Sequence, residues 1–577
     1  MTDPQIVLTE RVQQALANAF GSEYADADPL IRPSQFADFQ ANVAMSLAKR
    51  LRRAPREVAE AIKTELSDFP GTVEVSGPGF LNITLADSWI ESEAQRMLDD
   101  PRLGVGSITP SQTVVIDYSA PNAAKEMHVG HLRTTIVGDS LARLHSHLGN
   151  TVIRQNHLGD WGTPFGMLIE HLLEIGEETA VAQLEAGMGT EFYQAARAKF
   201  DGDDDFKLRA RTRVTTLQSG DPATMRLWHV FMDATVRYFN KLYALLGVTL
   251  TDADLAGESM YNPMLGKTCD DLESSGVAVL SEGALCLFPP GFTGSDDKPL
   301  PLIIRKSDGG YGYATTDMAA IRYRVHDLKA ERILYVVGSD QALHFRMVFA
   351  AAKLAGWLPE SVSAEHVQIG MMLGKDGRRF KTRSGESVKL MDLLHEAVDR
   401  AEAAITERGL DYDEATRKEI AHAVGMGAVK YADLSVSHDS EYVLDFDRMI
   451  SFTGNTGPYM QYATARIRSI FRKAGVEPAD ASGPIVLAAP AERALGLQVL
   501  GFGETIAQVT AESEPHRLCA FLFQTASLFS TFYDECPVAK EGVDAETRKQ
   551  RLALCALVLD VLETGLDLLG VPVPERM

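Results

Sequence analysis

Two histidines stand where an apolar strand gives way to a helix, and this junction constrains the fold more than any other part of the chain. The run Thr113–Ile116 is typical of a buried parallel strand, and residues 132–149 repeat apolar side chains at helical spacing. His128 and His131 are therefore predicted at a helix N-terminus, where free backbone N–H groups and the helix dipole attract anions. Gly130 would let a flat ring approach the backbone. The junction suits nucleotide phosphate chemistry.

From about residue 112 the sequence alternates between strand and helix patterns, which predicts an α/β fold with a Rossmann-type parallel sheet. We expect this catalytic domain to span 112–386, with insertions at about 171–241 and 260–300. The strands and helices predicted in it are strands 114–117, 152–155, 302–305 and 333–337 and helices 318–325 and 345–354.

Both flanks of this domain have patterns of their own. Residues 1–90 are predicted to form a separate α/β unit, with an amphipathic helix over 6–20 and a β segment over 73–85. Residues 387–577 are almost all helical by pattern, which predicts a helical C-terminal domain. The expected helices there are 388–407, 414–431, 459–474, 491–511, 518–536 and 549–569.

Composition narrows the class of protein. The formal charge of −23 argues against a general nucleic-acid binder, although the basic clusters 49–56 and 466–473 are candidate local phosphate contacts as well as ordinary solvated helix faces. Five widely spaced cysteines without a Cys-x-x-Cys motif predict neither disulfides nor a zinc site, which fits a reducing cytoplasm. No signal peptide or membrane-spanning stretch is expected.

The histidine junction belongs to a longer pattern. Residues 121–133, which include Pro121, Asn122, Lys125 and the His-Val-Gly-His motif, resemble the signature of class I aminoacyl-tRNA synthetases, most closely that of the arginyl members. The stretches 154–166, 454–462 and 574–577 are also similar to that family, so the resemblance covers the chain in family order. It implies an N-terminal domain that binds the tRNA elbow and a C-terminal domain that binds the anticodon.

The resemblance implies how ATP would be held. Lys125, His128, His131 and Lys381 match catalytic positions. The implied ATP-binding residues are His128, Gly130, His131, Gly370, Met372 and Lys381. The family's Lys-Met-Ser-Lys-Ser loop is degenerate here, reading Phe-Lys-Thr-Arg-Ser over 380–384, so Lys125 is expected to supply part of the missing charge. Mg²⁺ is expected on the phosphates, with no metal held by the protein itself.

The resemblance also implies an arginine pocket. Guanidinium presents planar donors that match carboxylate oxygens in pairs, so fixed acids are the expected lining. The residues that match this pocket are Asp117, Asn122, Glu258, Tyr313, Asp317 and Gln341. Asp317 alone could equally be the N-cap of the following helix.

Candidate tRNA contacts fall in both flanking domains. In the N-terminal domain they are Phe39, Gln40 and Asn42, although Phe39 could instead pack in the core. In the helical domain they are Tyr459, Gln461, Tyr462 and Arg466.

The resemblance implies an arginine–tRNA ligase. Arginine and ATP would give arginyl-adenylate, and the terminal adenosine of tRNA(Arg) would then accept the arginine. A cytoplasmic monomer is expected, and no editing domain is evident. Two alternatives remain open: a paralogue that activates arginine for a product other than tRNA, and a non-catalytic regulator that binds tRNA.

Overall fold

A computed structural model describes residues 3–123, 125–294, 297–374, 377–378, 388–408 and 412–577 of the chain. Its N-terminal part is an antiparallel four-stranded sheet in the order β1-β2-β4-β3, covered by helices. The elements of this part are α1 (Pro4–Phe20), β1 (Ile31–Pro33), β2 (Phe39–Ala41), α2 (Val43–Leu51), α3 (Pro55–Glu65), β3 (Gly71–Ser76), β4 (Phe80–Leu85) and α4 (Asp87–Leu98).

A parallel four-stranded sheet forms the centre of the molecule, as the alternating pattern predicts. Its order is β11-β10-β5-β6, and all three strand pairs are parallel. Its strands and the helices between them are β5 (Thr113–Asp117), α5 (Gly130–His147), β6 (Thr151–Gln155), β10 (Arg332–Gly338), α13 (Ala342–Leu354) and β11 (Ser363–Ile369). Asp117 pairs with Gln155 on one side and with Tyr335 on the other, so the carboxyl ends of these strands meet at one edge.

Two insertions interrupt the sheet between β6 and β10. The first is a helical block made of α6 (Thr163–Ile175), α7 (Glu177–Glu185), α8 (Gly189–Gly202), α9 (Asp204–Gln218) and α10 (Pro222–Leu246). The second consists of α11 (Glu258–Ser274), β7 (Ala278–Ser281), β8 (Ala284–Leu287), β9 (Leu302–Arg305) and α12 (Tyr313–His326). The strand predicted at 302–305 exists, but it pairs with β8 in a small antiparallel sheet and lies outside the parallel one.

The C-terminal part is helical, as predicted. Its elements are β12 (Met372–Leu373), α14 (Leu390–Glu407), α15 (Glu414–Leu434), β13 (Tyr442–Val443), α16 (Phe446–Met449), α17 (Gly457–Ala474), α18 (Pro490–Val499), α19 (Phe502–Glu512), α20 (Pro515–Glu535) and α21 (Ala545–Leu568). The single helix predicted over 491–511 is two helices. They separate at Leu500–Gly501, and Gly503 then packs so closely on Gly104 that a Cβ would lie 2.6 Å from its carbonyl oxygen.

The three parts share one hydrophobic core. A single cluster of buried side chains includes Leu8 of α1, Leu132 of α5 and Leu562 of α21. The apolar faces of the N-terminal and C-terminal helices are therefore buried against the same core as the signature helix α5. In the described part of the chain, no helix is long and apolar enough to cross a membrane.

Candidate active site

The turn that follows β5 is held in an unusual backbone conformation. Ser119 and Ala120 have positive φ angles, of 71° and 47°, which non-glycine residues rarely adopt. The side chain of Asn156 accepts a hydrogen bond from the Ala120 amide at 3.1 Å, and the Ser119 hydroxyl lies 2.7 Å from that of Tyr243. Strained backbone that is fixed by its surroundings is common at functional sites. Helix α5 begins shortly after this turn.

His128 and His131 lie together at that N-terminus, with ring centroids 4.0 Å apart. The Gly130 amide donates to Nδ1 of His128 at 3.0 Å, and the His128 amide donates to Nδ1 of His131 at 3.1 Å. A Cβ on Gly130 would lie 2.8 Å from the His128 ring, so the ring that approaches this glycine is that of its neighbour. Because each Nδ1 accepts, each neutral ring carries its proton on Nε2 and can donate it to an anion.

The electrostatics of the site keep both imidazoles neutral. Burial, followed by the neighbouring His128, lowers the pKa of His131 to about 3. Burial and the positive charge of Lys125 lower the pKa of His128. Lys125 itself is exposed, and its Nζ lies 4.1 Å from the ring centroid of Tyr193 on α8. The positive charge beside the two histidines therefore comes from Lys125, and the histidines supply neutral N–H donors.

Asp117, predicted near the amino end of arginine, is engaged in a buried ion pair. Its Oδ2 accepts from Nη2 of Arg324 at 2.6 Å, and Nε of Arg324 donates to the Gln155 side chain at 2.6 Å. Arg324 is fully buried, and its guanidinium lies 4.8 Å from the Tyr335 ring centroid. The charge of Asp117 is thus balanced within the protein. The sequence pattern gave no sign of Arg324, which is one of several charged residues on α12.

Glu258 stands in a different electrostatic environment. It begins α11, and its amide donates to the Leu158 carbonyl at 3.0 Å, which places it beside the segment after β6. Burial, followed by the charges of Asp160 and Asp317, raises the pKa of Glu258 to about 7. Asp160 is buried and accepts from the amide and hydroxyl of Ser259, at 2.8 and 2.6 Å. Two acidic side chains, those of Asp160 and Asp317, therefore act on Glu258 at the carboxyl edge of the sheet.

The first helical turns of α12 and α13 complete this group. Asp317 lies one turn after Tyr313, and its Oδ2 is 2.6 Å from Nε2 of His344. The Tyr313 ring packs edge-on against that imidazole, with centroids 4.7 Å apart, and remains largely exposed. Gln341 is exposed just before α13. His344 is a site residue that sequence reasoning missed, although it follows Gln341 by one helical turn.

Asn122 contacts the segment after β6, which also contacts Glu258. It is exposed and forms an isolated parallel bridge with Gly159. A Cβ on Gly159 would lie only 2.3 Å from Oδ1 of Asn122, so a larger residue there would displace the amide. Asp160, also missed by sequence reasoning, follows directly, and its signal was present in the stretch 154–166. We call Asn122, Glu258, Tyr313, Asp317 and Gln341 the acidic pocket.

The predicted nucleotide loop is described only in part. Gly370 directly follows β11, and Met372 is buried in β12, so a nucleotide could meet only the backbone of Met372. Lys381 and the degenerate motif at 380–384 lie outside the described residues. Within the described ranges, no group of three or more histidine, cysteine, aspartate or glutamate side chains could hold a metal ion.

Comparison with known proteins decides the family. The description "tRNA synthetases class I (R), catalytic domain" matches residues 94–446. "DALR anticodon binding domain" matches 460–577, and "Arginyl tRNA synthetase N terminal domain" matches 7–85. The arginine–tRNA ligase of Thermobifida fusca is 62% identical over 580 residues, and that of Frankia casuarinae is 51% identical over 565, covering 100% and 96% of both chains. This chain belongs to the arginyl-tRNA synthetase family.

Solved structures of the family share the whole architecture. The arginyl-tRNA synthetase of Plasmodium falciparum superposes with a TM-score of 0.83 at 27% identity, over 99% of each chain. The Thermus thermophilus arginyl-tRNA synthetase gives 0.81 at 25% identity, over 100% of each. The α/β class and the helical C-terminal part predicted from the sequence are confirmed by these matches.

The candidate tRNA residues of the N-terminal domain lie on one strand. Phe39 is buried in the core because alternation along β2 turns it inward, which favours core packing over the predicted contact of its ring with tRNA. Gln40, on the other face, donates to Asn82 at 2.8 Å and is half-buried. Asn42 precedes α2, and its Oδ1 is buried without a partner among the described residues. The exposed aromatic ring here is Phe36, which is 82% exposed.

The candidate tRNA residues of the helical domain lie on α17, and they too include both buried and half-buried side chains. Gln461 is fully buried, and its Nε2 donates to the carbonyls of Ala423 and Pro572 at 2.8 and 2.6 Å. These bonds give Gln461 a structural role in holding the C-terminal segment, and its contact with tRNA stays a prediction. Tyr459 is half-buried, with its hydroxyl 3.4 Å from that of Ser530.

Tyr462 and Arg466 remain available at the surface of α17. Both side chains are half-buried. The Arg466 guanidinium lies 5.6 Å from the ring centroid of Tyr462 and 4.1 Å from that of Tyr533. Arg408 adds a second guanidinium, 5.6 Å from Tyr462 and 3.6 Å from Phe452. Arginines alternate with aromatic rings across this face, which we call the arginine–aromatic face.

Proposed function

We propose that this chain is an arginine–tRNA ligase. It uses ATP, as its Mg²⁺ complex, to convert L-arginine into arginyl-adenylate and pyrophosphate, and it then transfers the arginine to the 3′-terminal adenosine of tRNA(Arg). The observation that carries the substrate assignment is the acidic pocket. Glu258 and Asp317 have no partner with a fixed positive charge in the described part of the chain. A guanidinium would supply it in planar, bidentate form.

Arginine enters the pocket with its side chain toward the acids. Asp317 and Glu258 accept from the guanidinium, and Tyr313 covers one face of the pocket. Asp317 already accepts from His344, which fixes the orientation of its carboxylate before the substrate arrives. Asn122, on the side nearer the histidines, is suited to bind the substrate's amino end and so to direct its carboxylate toward ATP.

The phosphates of ATP lie against the N-terminus of α5. The Nε2–H groups of His128 and His131 donate to phosphate oxygens, and Lys125 provides a mobile positive charge once it leaves the Tyr193 ring. Negative charge develops on the phosphate oxygens as the arginine carboxylate attacks the α-phosphorus and pyrophosphate leaves. Preorganised donors stabilise that charge without a covalent contribution from the protein.

The transfer step requires tRNA to contact both flanking domains. Gln40 and Asn42 remain the proposed elbow contacts, and Tyr459, Tyr462 and Arg466 the proposed contacts of the helical domain. Aromatic rings beside arginines favour stacking with unpaired bases. The chain has five free cysteines, all buried, which supports a cytoplasmic location, and we propose that it acts as a monomer.

The decisive experiment is arginine-dependent exchange of radiolabelled pyrophosphate into ATP, measured with and without tRNA(Arg) because the family resemblance implies that activation needs bound tRNA, followed by charging of tRNA(Arg). We expect exchange with arginine but not with lysine or citrulline, because only a guanidinium satisfies both carboxylates. Arginine-dependent exchange without charging of any tRNA would favour a paralogue that makes another product. Binding of tRNA without exchange, in a protein shown to be folded, would favour a non-catalytic regulator.

A further inference from the structure

One arginine of the signature helix binds two separate segments of the chain. Arg133 lies two residues after His131, and only 1% of its side chain is exposed. Its Nε donates to Oδ1 of Asp433 at 2.8 Å, and its Nη1 donates to the Gly370 and Ser440 carbonyls, both at 2.7 Å. A longer contact, 3.4 Å, joins Nη2 to the Ser437 carbonyl. The guanidinium is thus satisfied by one carboxylate and three backbone carbonyls.

These partners come from the two segments that frame the nucleotide side of the site. Gly370 lies between β11 and β12, whereas Asp433 lies in the last turn of α15, and residues 437–440 follow that helix. The two segments also bind each other through their backbones. The Gly370 amide donates to the His438 carbonyl at 2.7 Å, and the Tyr442 amide donates to the Met371 carbonyl at 3.0 Å.

The contact between these segments leaves no room for adjustment. A Cβ on Gly370 would lie 2.2 Å from the Ser440 carbonyl oxygen, so this position requires glycine. Arg133 occupies the remaining space beside it, with the Tyr442 ring centroid 6.0 Å from its guanidinium. A shift of α5 relative to Gly370 would therefore break at least one of the short bonds that Arg133 makes.

We infer that Arg133 is a positioning residue for the reaction on ATP: it fixes the distance between the histidines of α5 and the backbone at 370–373. This inference rests on the proposed function, because it assumes that ATP lies between those two elements. A lysine at this position would keep the charge but could not reach a carboxylate and several carbonyls in one plane. A misplacement of about 1 Å can cost about 100-fold in rate, even when it originates away from the reacting atoms.

The test compares Arg133→Lys with a matched substitution, Arg551→Lys. Arg551 makes the same kinds of bond, with Nε donating to Glu492 at 2.7 Å and Nη1 donating to the Pro537 carbonyl at 2.8 Å, but it lies wholly within the helical domain. In arginine-dependent pyrophosphate exchange we expect Arg133→Lys to lower kcat about 100-fold and to raise the KM for ATP, while the KM for arginine stays near that of the unmodified protein. Arg551→Lys should keep kcat, whatever stability it loses.

A second variant protects the test against a folding defect. Asp433→Asn keeps an oxygen acceptor for Nε of Arg133, so we expect it to fold and to lose less activity than Arg133→Lys. Thermal unfolding of all three variants gives the folded fraction by which every rate is corrected. Equal kcat values for Arg133→Lys and Arg551→Lys after that correction would overturn the positioning role, as would a loss confined to the KM for arginine.

Direct binding of Mg²⁺-ATP, measured by calorimetry, separates this inference from the proposed function. If the unmodified protein fails to exchange pyrophosphate in the presence of tRNA(Arg) but binds ATP more tightly than Arg133→Lys does, the proposed reaction is wrong, whereas the role of Arg133 in arranging the ATP-binding elements stands. If exchange is arginine-dependent but Arg133→Lys binds ATP and turns over like the unmodified protein, the reaction stands and the positioning role is wrong.

Discussion

Asp117 and Asp317 are both acidic residues at the carboxyl edge of the parallel sheet, yet their surroundings differ. Asp117 is buried and paired with Arg324, a fixed cation of the protein. Asp317 is half-buried, its ion-pair partner among the described residues is the titratable His344, and it lies close enough to Glu258 to raise the pKa of that carboxyl. The first carboxylate is already neutralised, whereas the second belongs to a group that lacks positive charge among the described residues.

This difference separates a residue that builds the site from residues that bind the substrate. A buried ion pair tolerates little change, because removing one partner leaves a charge in a low-dielectric environment. An acidic group without a fixed cation is costly to the folded protein, and a cationic ligand removes that cost. We therefore propose that Asp117 supports the pocket and that Asp317 contacts the guanidinium directly, while the predicted role of Asp117 near the amino end of arginine stays a prediction.

The largest expected effect follows from breaking the supporting pair. Arg324→Met should lower the free energy of unfolding by about 3–5 kcal/mol, because Asp117 would remain buried without its cation. Chemical denaturation monitored by circular dichroism measures this loss. A double variant with Asp117→Asn should recover part of the stability. Unchanged stability in Arg324→Met would mean that Asp117 does not depend on Arg324 to balance its charge.

Removal of Asp317 should affect binding and leave folding nearly intact. We expect Asp317→Ala to weaken arginine binding by about 2–5 kcal/mol, the range found when one partner of a buried charge pair is truncated. Calorimetric titration with arginine gives the affinity, and the denaturation midpoint serves as the control. A variant with ordinary arginine affinity would place the guanidinium elsewhere in the site.

The third effect concerns the phosphate side of the site. Lys125→Ala should reduce the rate of adenylate formation by about 100-fold, similar to the loss of one preorganised transition-state donor. Arginine affinity should not change, because Lys125 faces Tyr193 and not the acidic pocket. Single-turnover measurement of arginyl-adenylate formation tests this. Tyr193→Leu is the companion variant: it removes the ring that Lys125 rests on but keeps the charge, so its rate should fall far less.

The pKa of Glu258 predicts a pH dependence of arginine binding. Its pKa is raised from 4.5 to about 7, so its protonated form stabilises the fold at low pH, and that contribution is lost as pH rises through about 7. Arginine prefers the ionised form, so its affinity should increase about tenfold between pH 6 and pH 8. Calorimetry across this range, repeated with Glu258→Gln, isolates the group. A slope that persists in Glu258→Gln would have to be assigned to another group.

Local sequence patterns predicted some parts of this structure and could not predict others. The strand–turn–helix around His128 could be predicted because apolar periodicity and the helix start lie within one continuous segment. The pairing of Asp117 with Arg324 could not, because it joins residues 207 positions apart through the order of the sheet. No local pattern distinguishes Arg324 from the other charged residues of α12.

In the flanking domains, too, local sequence could not predict which single side chains are buried. Phe39 and Gln461 were expected on the tRNA surface because of their place in family-like motifs, but both are buried. Which face of β2 or α17 is covered depends on the core they share with distant helices. In both cases the motif did not indicate which side chains of the element are buried.

The smallest expected effect concerns the arginine–aromatic face, whose contacts with tRNA are solvated. Arg466→Ala should weaken tRNA binding modestly and reduce the slope of log affinity against log salt concentration by about 1, the change expected for one lost phosphate contact. Arg468 is the matched control, since it lies on the same helix but pairs with Glu563 at 2.7 and 2.9 Å. Arg468→Ala should therefore leave the slope unchanged. Filter binding of tRNA(Arg) at several salt concentrations measures both variants. Equal slopes in the two variants would mean that Arg466 does not contact a phosphate. Its guanidinium would then serve to hold Tyr462 and Tyr533 in place.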